Sequence, residues 1–247
     1  MLHIFVDPSA MQGDFLIITG EEVNHIRNVL RMKPGDEISV SNGQDPAEYR
    51  YGIETVEPDR VTCRLRFVKE ADVELPVRTV LFQGLPKAEK MDWIVQKTVE
   101  LGVTEIVPVS MERSVVRLDA QKADKKTARW QTIAEAAARQ SRRAIVPQVH
   151  APMTMREAVA CAGSCDVRIL PYELSEDSRS TRELFDGIRP GSSLAVFIGP
   201  EGGFAPEEVE EARAGGILPV TLGRRILRTE SAAMVVLSWL IYTLEIR

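Results

Sequence analysis

Two stretches of this chain bring together residue types that could hold a small ligand. In Val196-Phe197-Ile198-Gly199-Pro200-Glu201-Gly202-Gly203-Phe204 an apolar run stops abruptly in glycine, proline and one acid. Such a run predicts a buried strand, and the carboxyl ends of strands are where open α/β sheets bind ligands. Glycine removes side chains there, so backbone amides and carbonyls can approach a ligand closely. The spacing is neither G-x-G-x-x-G nor G-x-x-x-x-G-K-[ST], so a dinucleotide or nucleoside triphosphate held by those loops is not expected. On these residues alone, a tight turn between strand and helix explains the segment equally well.

The second stretch is Leu222-Gly223-Arg224-Arg225-Ile226-Leu227-Arg228-Thr229-Glu230-Ser231-Ala232-Ala233. It too follows a strand pattern and opens a helix, with Thr229 as the expected N-cap and Glu230 as a favourable acid in the first turn. Surface charge is the ordinary role of arginines, but Arg224, Arg225 and Arg228 clustered beside apolar residues are less usual. Two such loops at strand ends can line one pocket with main-chain groups.

The elements that must position these loops follow from periodicity. Strands are predicted at Leu2 to Val6, Phe15 to Ile18, Glu37 to Ser41, Tyr49 to Val56 and Val61 to Val68, which suggests a small β-barrel. A helix from Glu21 to Arg31 interrupts them, with Val23, Ile26, Val29 and Leu30 at helical spacing and His25 on the same inner side. The charged stretch Lys69 to Pro76 reads as a linker. Beyond it strands and helices alternate. Strands are expected at Val77 to Gln83, Glu105 to Ser110, Val167 to Pro171, Leu194 to Ile198 and Ile217 to Leu222. Helices are expected at Lys87 to Leu101, Asp124 to Arg142, Pro206 to Gly215 and Thr229 to Leu244. This pattern predicts a mainly parallel sheet covered on both faces. The domains expected are 1–72 and 73–247, and the fold class is α/β.

The formal net charge of −5 conceals a local opposite. Residues 1 to 72 hold 8 Lys and Arg against 13 Asp and Glu, whereas 113 to 143 hold nine basic residues against three acidic ones. Phosphate responds to such local fields, because screening limits each charge to about 10 Å at moderate salt. A solvated helix face has the same signature. Three cysteines, an odd number, argue against a disulfide framework and suit a reducing cytoplasm. Cys161 and Cys165 have no His near them, so no metal is expected. The N-terminus lacks the pattern of a signal peptide. The apolar run from Ala232 to Tyr242 falls short of the roughly 20 residues of a membrane span and reads as a buried helix.

Phe197-Ile198-Gly199-Pro200-Glu201-Gly202-Gly203-Phe204 followed by the Leu222 to Ala233 segment resembles the paired cofactor motifs of the SPOUT superfamily of methyltransferases. The likeness extends to His25-Ile26-Arg27-Asn28-Val29-Leu30-Arg31, Lys87-Ala88-Glu89-Lys90-Met91-Asp92, Gln96 to Gly102 and Glu112-Arg113-Ser114. It also takes in Ala137-Ala138-Arg139-Gln140-Ser141-Arg142-Arg143 and Leu170-Pro171-Tyr172-Glu173. Together these resemble the family that methylates uridine N3 in 16S ribosomal RNA. Many of its members begin with an Arg beside an aromatic residue, where this chain has Leu2-His3-Ile4-Phe5.

The resemblance implies a PUA-like N-terminal β-barrel that binds RNA and a C-terminal SPOUT α/β domain containing a trefoil knot. It implies an enzyme using S-adenosylmethionine, a homodimer whose RNA site uses both subunits, and 16S ribosomal RNA or the 30S subunit as partner, with no membrane. The cofactor residues it implies are Leu170, Pro171, Ile198, Gly199, Pro200, Glu201, Gly203, Leu222, Gly223, Ile226, Leu227 and Arg228. For catalysis Arg228 is expected to favour a deprotonated N3 electrostatically, and Glu201 or Glu230 to accept its proton, although pairing with the arginines is an alternative role for both acids. Arg27, Arg31, Lys33, Lys87, Lys90, Arg113, Arg139, Arg142 and Arg143 are expected to grip phosphates. Rival readings are a superfamily enzyme acting on transfer RNA or a ribose 2′-hydroxyl, and a non-catalytic RNA-binding module.

Overall fold

The computed structural model describes residues 1–70, 73–173 and 178–247, which group into two compact units. One is Met1–Glu74 with Ala138–Val146; the other is Leu75–Ala137 with Pro147–Arg247. Residues 71 and 72, at the expected boundary and inside the expected linker, lie outside the described residues. The segment 138–146, far along the chain, belongs with the N-terminal unit because Glu74 holds it. The Glu74 carboxylate accepts from Arg143 Nε at 3.0 Å and from the backbone N–H groups of Ala144 and Ile145 at 3.0 and 3.1 Å.

In the first unit β1 (Leu2–Phe5), β2 (Met11–Gln12), β3 (Phe15–Thr19), β4 (Glu37–Ser41), β5 (Ala47–Val56) and β6 (Arg60–Glu70) form one sheet in the order β1-β4-β5-β6-β3-β2. The β1–β4 pair is parallel and the others are antiparallel. Alternation directs Ile4, Leu16, Ile18, Ile38, Val40, Tyr51, Ile53, Val61 and Cys63 into one core. His3, on the other face of β1, bonds through Nδ1 to Ser39 Oγ at 2.8 Å, and burial holds its pKa below the ordinary histidine value.

The helix expected from Glu21 to Arg31 is shorter and wider than a regular α-helix. α1 (Glu21–Asn24) passes into a π turn at His25–Val29, and the chain leaves through Arg31 at φ +54°. The extra residue in the turn rotates the following positions off the helical face. Val23 and Ile26 therefore reach the core, while His25 is exposed and Val29 and Leu30 are 61% and 45% exposed. The inward placement expected for His25, Val29 and Leu30 is corrected accordingly.

In the second unit β7 (Arg78–Gly84), α2 (Lys90–Glu100), β8 (Glu105–Ser110), α3 (Ala120–Gln140), β9 (Gln148–Val149) and β10 (Met153–Thr154) come first. They are followed by α4 (Met155–Ala162), β11 (Val167–Pro171), α5 (Ser178–Gly187), β12 (Ser193–Ile198), α6 (Pro206–Ala214), β13 (Leu218–Val220) and α7 (Thr229–Ile241). The sheet order is β10-β8-β7-β12-β11-β13, with β9 beside β8, and every pairing is parallel. Central strands β7 and β12 are buried along nearly their whole length, as a sheet covered on both faces requires, and Phe82 stacks on Phe197 between them.

Helix α2 starts three residues later than its periodicity suggests, because Ala88 adopts φ +54° and cannot continue a helix. Helix α7 buries Ala233, Val236, Leu237 and Leu240 and packs on α2 and β12. It runs on through a π turn to Ile246, so Thr229–Ile246 is long and apolar enough, by length and composition, to cross a membrane, which the shorter apolar run had not suggested.

Candidate functional site

Strands β7, β12 and β13 end on the same edge of the parallel sheet, and the two glycine-bearing loops leave from two of these ends. Gly199 to Phe204, Ile198 and Ile226 to Thr229, with Lys90, Pro171, Glu173 and Ala232, line a cavity of about 430 Å³. An adjoining cavity of about 90 Å³ shares Pro171, Ile226 and Leu227 and adds Leu222 and Gly223. The structure thus gathers all the residues expected to hold a cofactor except one. Leu170 is fully buried in the core beneath the site, with its side chain among Phe197, Phe204 and Val209 in one cluster.

The first loop is closely packed. A Cβ on Gly199 would stand 3.2 Å from the carbonyl carbon of Gly203 and from the Phe204 ring, and Gly203 itself has φ +68°. The Arg113 guanidinium donates to the Gly202 carbonyl at 3.1 Å, supporting the loop from outside. Glu208, 7% exposed in the first turn of α6, accepts from the N–H of Ala205 at 2.9 Å and of Glu112 at 2.8 Å. That one carboxylate ties the end of the loop to the segment after β8.

Charge at the pocket is organised around Lys90. Its ammonium lies 2.8 Å from Glu201 and 3.9 Å from Glu230. Glu201 also accepts from the N–H of Lys87 at 3.0 Å. Burial raises the Glu201 pKa, but hydrogen bonds from Lys90 and from backbone N–H groups, together with the Lys90 charge, outweigh it and hold the carboxyl below its ordinary value. A carboxylate so engaged is a poor proton acceptor. Glu230 differs: its Oε2 is buried and has no hydrogen-bond partner among the described residues. Arg228, exposed, is the N-cap of α7 and lines the cavity. Thr229, expected at the cap, is the first helical residue instead, and its hydroxyl binds the Gly199 carbonyl at 2.6 Å.

The basic residues separate by unit. Arg27, Arg31, Lys33 and Arg142 are exposed on the first, where Arg139 pairs with Glu22 at 3.2 Å. Lys87, Lys90 and Arg113 stand at the glycine loop of the second. Arg143 is a correction: at 3% exposure and bound to Glu74, it is unavailable to phosphate. Among the lining residues, sequence reasoning assigns no cofactor role to Lys90, expected only to grip phosphate, or to Glu173. Gln83, in an apolar strand with nothing to single it out, bonds the lining residue Thr229 through Nε2 at 2.9 Å.

A parallel sheet whose strand-end glycine loops frame a pocket, in a chain that also carries a strand-rich unit, fits the class of RNA methyltransferases with a PUA domain, and the family matches show that class. Residues 73–241 match the RNA methyltransferase domain family and residues 18–66 the RNA methyltransferase PUA domain family. The chain belongs to the ribosomal RNA small subunit methyltransferase E family. It is 38% identical over 232 residues to the member from Bacillus subtilis, covering 93% of this chain and 90% of that one. Among solved structures, the Neisseria gonorrhoeae ribosomal RNA small subunit methyltransferase E bound to S-adenosylmethionine is 32% identical, with a TM-score of 0.80 and 98% and 97% of the two chains covered. A Legionella pneumophila methyltransferase with bound S-adenosylmethionine is 34% identical, with a TM-score of 0.78 over 97% and 96%.

Proposed function

We infer that this chain is an S-adenosylmethionine-dependent methyltransferase of 16S ribosomal RNA, and that its target atom is uridine N3. The observation that carries the reading is the pocket of two glycine-bearing strand-end loops in a chain 38% identical to a ribosomal RNA small subunit methyltransferase over nearly its whole length. The pocket suits the cofactor. Its volume falls in the range of about 300–1,000 Å³ usual for small-molecule sites, and at Gly199 a Cβ would crowd the loop that forms its wall.

Bound S-adenosylmethionine supplies a methyl group on a positively charged sulfur. The protein's tasks are to orient the two reactants and to manage the N3 proton. Backbone groups of Gly199 to Gly203 and Leu222 to Leu227 would hold the cofactor. Arg228 at the cavity edge would favour the deprotonated base electrostatically. Of the two candidate acceptors Glu230 is favoured, since Glu201 is committed to Lys90 and to the Lys87 amide. Arg27, Arg31, Lys33, Arg139 and Arg142 on one unit, and Lys87, Lys90 and Arg113 on the other, would bind RNA phosphates.

The same reading includes an N-terminal domain over 1–72 closed into a PUA-like barrel, and a SPOUT domain over 73–247 with a trefoil knot. The register shifts in the β5–β6 pair support closure, since bulges bend a sheet. The knot belongs to this reading through the family to which the chain belongs. A homodimer is supported by the part-exposed apolar stripe of Met234, Val235, Ile241 and Tyr242 along the C-terminal helix. Three free cysteines agree with a cytoplasmic location. The decisive measurement is mass spectrometry of 16S RNA from a strain lacking the gene. Loss of N3-methyluridine is expected; an intact modification overturns the substrate.

A further inference from the structure

One hydroxyl group joins the two loops of the pocket. Thr229 is 6% exposed, and its Oγ1 lies 2.6 Å from the Gly199 carbonyl oxygen and 2.9 Å from Nε2 of Gln83. Gln83 is fully buried near the end of β7, and its Nε2 also lies 3.0 Å from the Gly84 carbonyl oxygen. A carbonyl oxygen only accepts. Thr229 therefore donates its single hydrogen to Gly199 and accepts from Gln83, while Gln83 turns its amide nitrogen toward both Gly84 and Thr229. The directions of all three bonds follow from the chemistry of the partners.

Two further observations give this chain of bonds a purpose. The peptide unit between Gly199 and Pro200 has no N–H, so its carbonyl is the one polar group by which it can be held. That unit is where the first loop leaves β12, and Thr229 is where the second loop enters α7. Gln83 Oε1, meanwhile, is buried with no hydrogen-bond partner among the described residues. An unpaired buried oxygen disfavours folding, and an apolar side chain of similar size would suit the strand better. What Gln83 offers in return is its nitrogen.

We propose that Gln83, Thr229 and the Gly199 carbonyl form a latch that sets the spacing of the two loops, and that Gln83 and Thr229 are positioning residues for the cofactor. The proposal rests on the reading of this pocket as the S-adenosylmethionine site. Serine at 229 keeps both bonds; alanine removes them, leaving the Gly199 carbonyl unpaired and the Gln83 amide bonded to the Gly84 carbonyl alone.

The test compares wild type, Thr229→Ser and Thr229→Ala by calorimetry with S-adenosylmethionine and by amide hydrogen exchange of 199–204 and 222–228 without ligand. Thr229→Ser should bind within about twofold of wild type, whereas Thr229→Ala should bind about tenfold more weakly and exchange faster in both loops. Wild-type exchange in the alanine variant, or failure of serine to preserve slow exchange, overturns the latch. Gln83→Met, which removes the donors at similar volume, makes the same comparison if Thr229→Ala does not fold. A wild-type chain with no affinity for S-adenosylmethionine would sink the ligand reading, and the exchange result would still decide the latch.

Discussion

Gly199 lacks a side chain because none fits without moving its neighbours. Its missing Cβ would press on the Gly203 carbonyl carbon and the Phe204 ring, both 3.2 Å away, and Phe204 is itself core. Gly199→Val should therefore displace the loop and weaken S-adenosylmethionine binding. Overpacking costs about 1–3 kcal/mol, which corresponds to about 5- to 150-fold in Kd if it falls on the binding geometry. Calorimetry reads this directly, and unchanged affinity would mean that the loop does not touch the cofactor. At the same scale, the two acids near the pocket separate by what they already hold. Glu201 accepts from Lys87 and Lys90, whereas Glu230 keeps an unbonded oxygen, a distinction made by neighbours distant in sequence.

At the scale of elements, the parallel sheet is joined at the edge away from the pocket by Glu105, which begins β8. It accepts from His150 Nε2 at 2.8 Å and pairs with Arg78 of β7 at 2.6 Å. The hydrogen bond with His150 is the largest cause of its depressed pKa, burial opposes it, and Arg78 adds to it. The folded pKa thus lies below the ordinary 4.5, so the stabilisation is complete above 4.5 and is lost as pH falls through the depressed value. Glu105→Gln should lower Tm at neutral pH, and the gap to wild type should close on acidification below 4.5. Hydrogen bonds to charged groups contribute about 1.5–3 kcal/mol, or about 2–4 °C per kcal/mol for a chain of this size. A gap constant from pH 7 to 3 would remove Glu105 from the acid response. Helix α4 shows the opposite situation, a local device that was legible and overlooked. Thr154 and Glu157 form a reciprocal capping box, and the Thr-x-x-Glu spacing announces it in the sequence.

For the whole molecule, the basic stretch from 113 to 143 does several jobs rather than one. Arg113 supports the pocket loop, Arg129 pairs with Asp92, Arg139 pairs with Glu22, and Arg143 is buried against Glu74. Arg142 is exposed at the turn after α3, with φ +60°. Arg142→Ala should therefore weaken RNA binding and reduce the slope of log K against log salt by about one phosphate contact. Arg143→Ala should instead destabilise the fold by about 3–5 kcal/mol, the usual consequence of stranding one partner of a buried pair. Filter binding across a salt series and thermal unfolding separate the two; equal salt slopes for wild type and Arg142→Ala would move the RNA surface elsewhere.

By itself the sequence determined the alternation of strands and helices in the second unit, the strand-rich character of the first, and the two glycine-bearing loops. These are set by residue type at short range: β-branched runs, helical periodicity, and glycine or proline where the backbone must turn. Only the tertiary structure decided that β12 lies between β7 and β11, that 138–146 packs with the first unit, that Arg143 is buried, and that Lys90 and Thr229 line the pocket, with Gln83 bonded to Thr229. Each of these depends on a partner far away in the chain. Thr229 and Gln83 are 146 residues apart, and no local pattern records that one will hold the other.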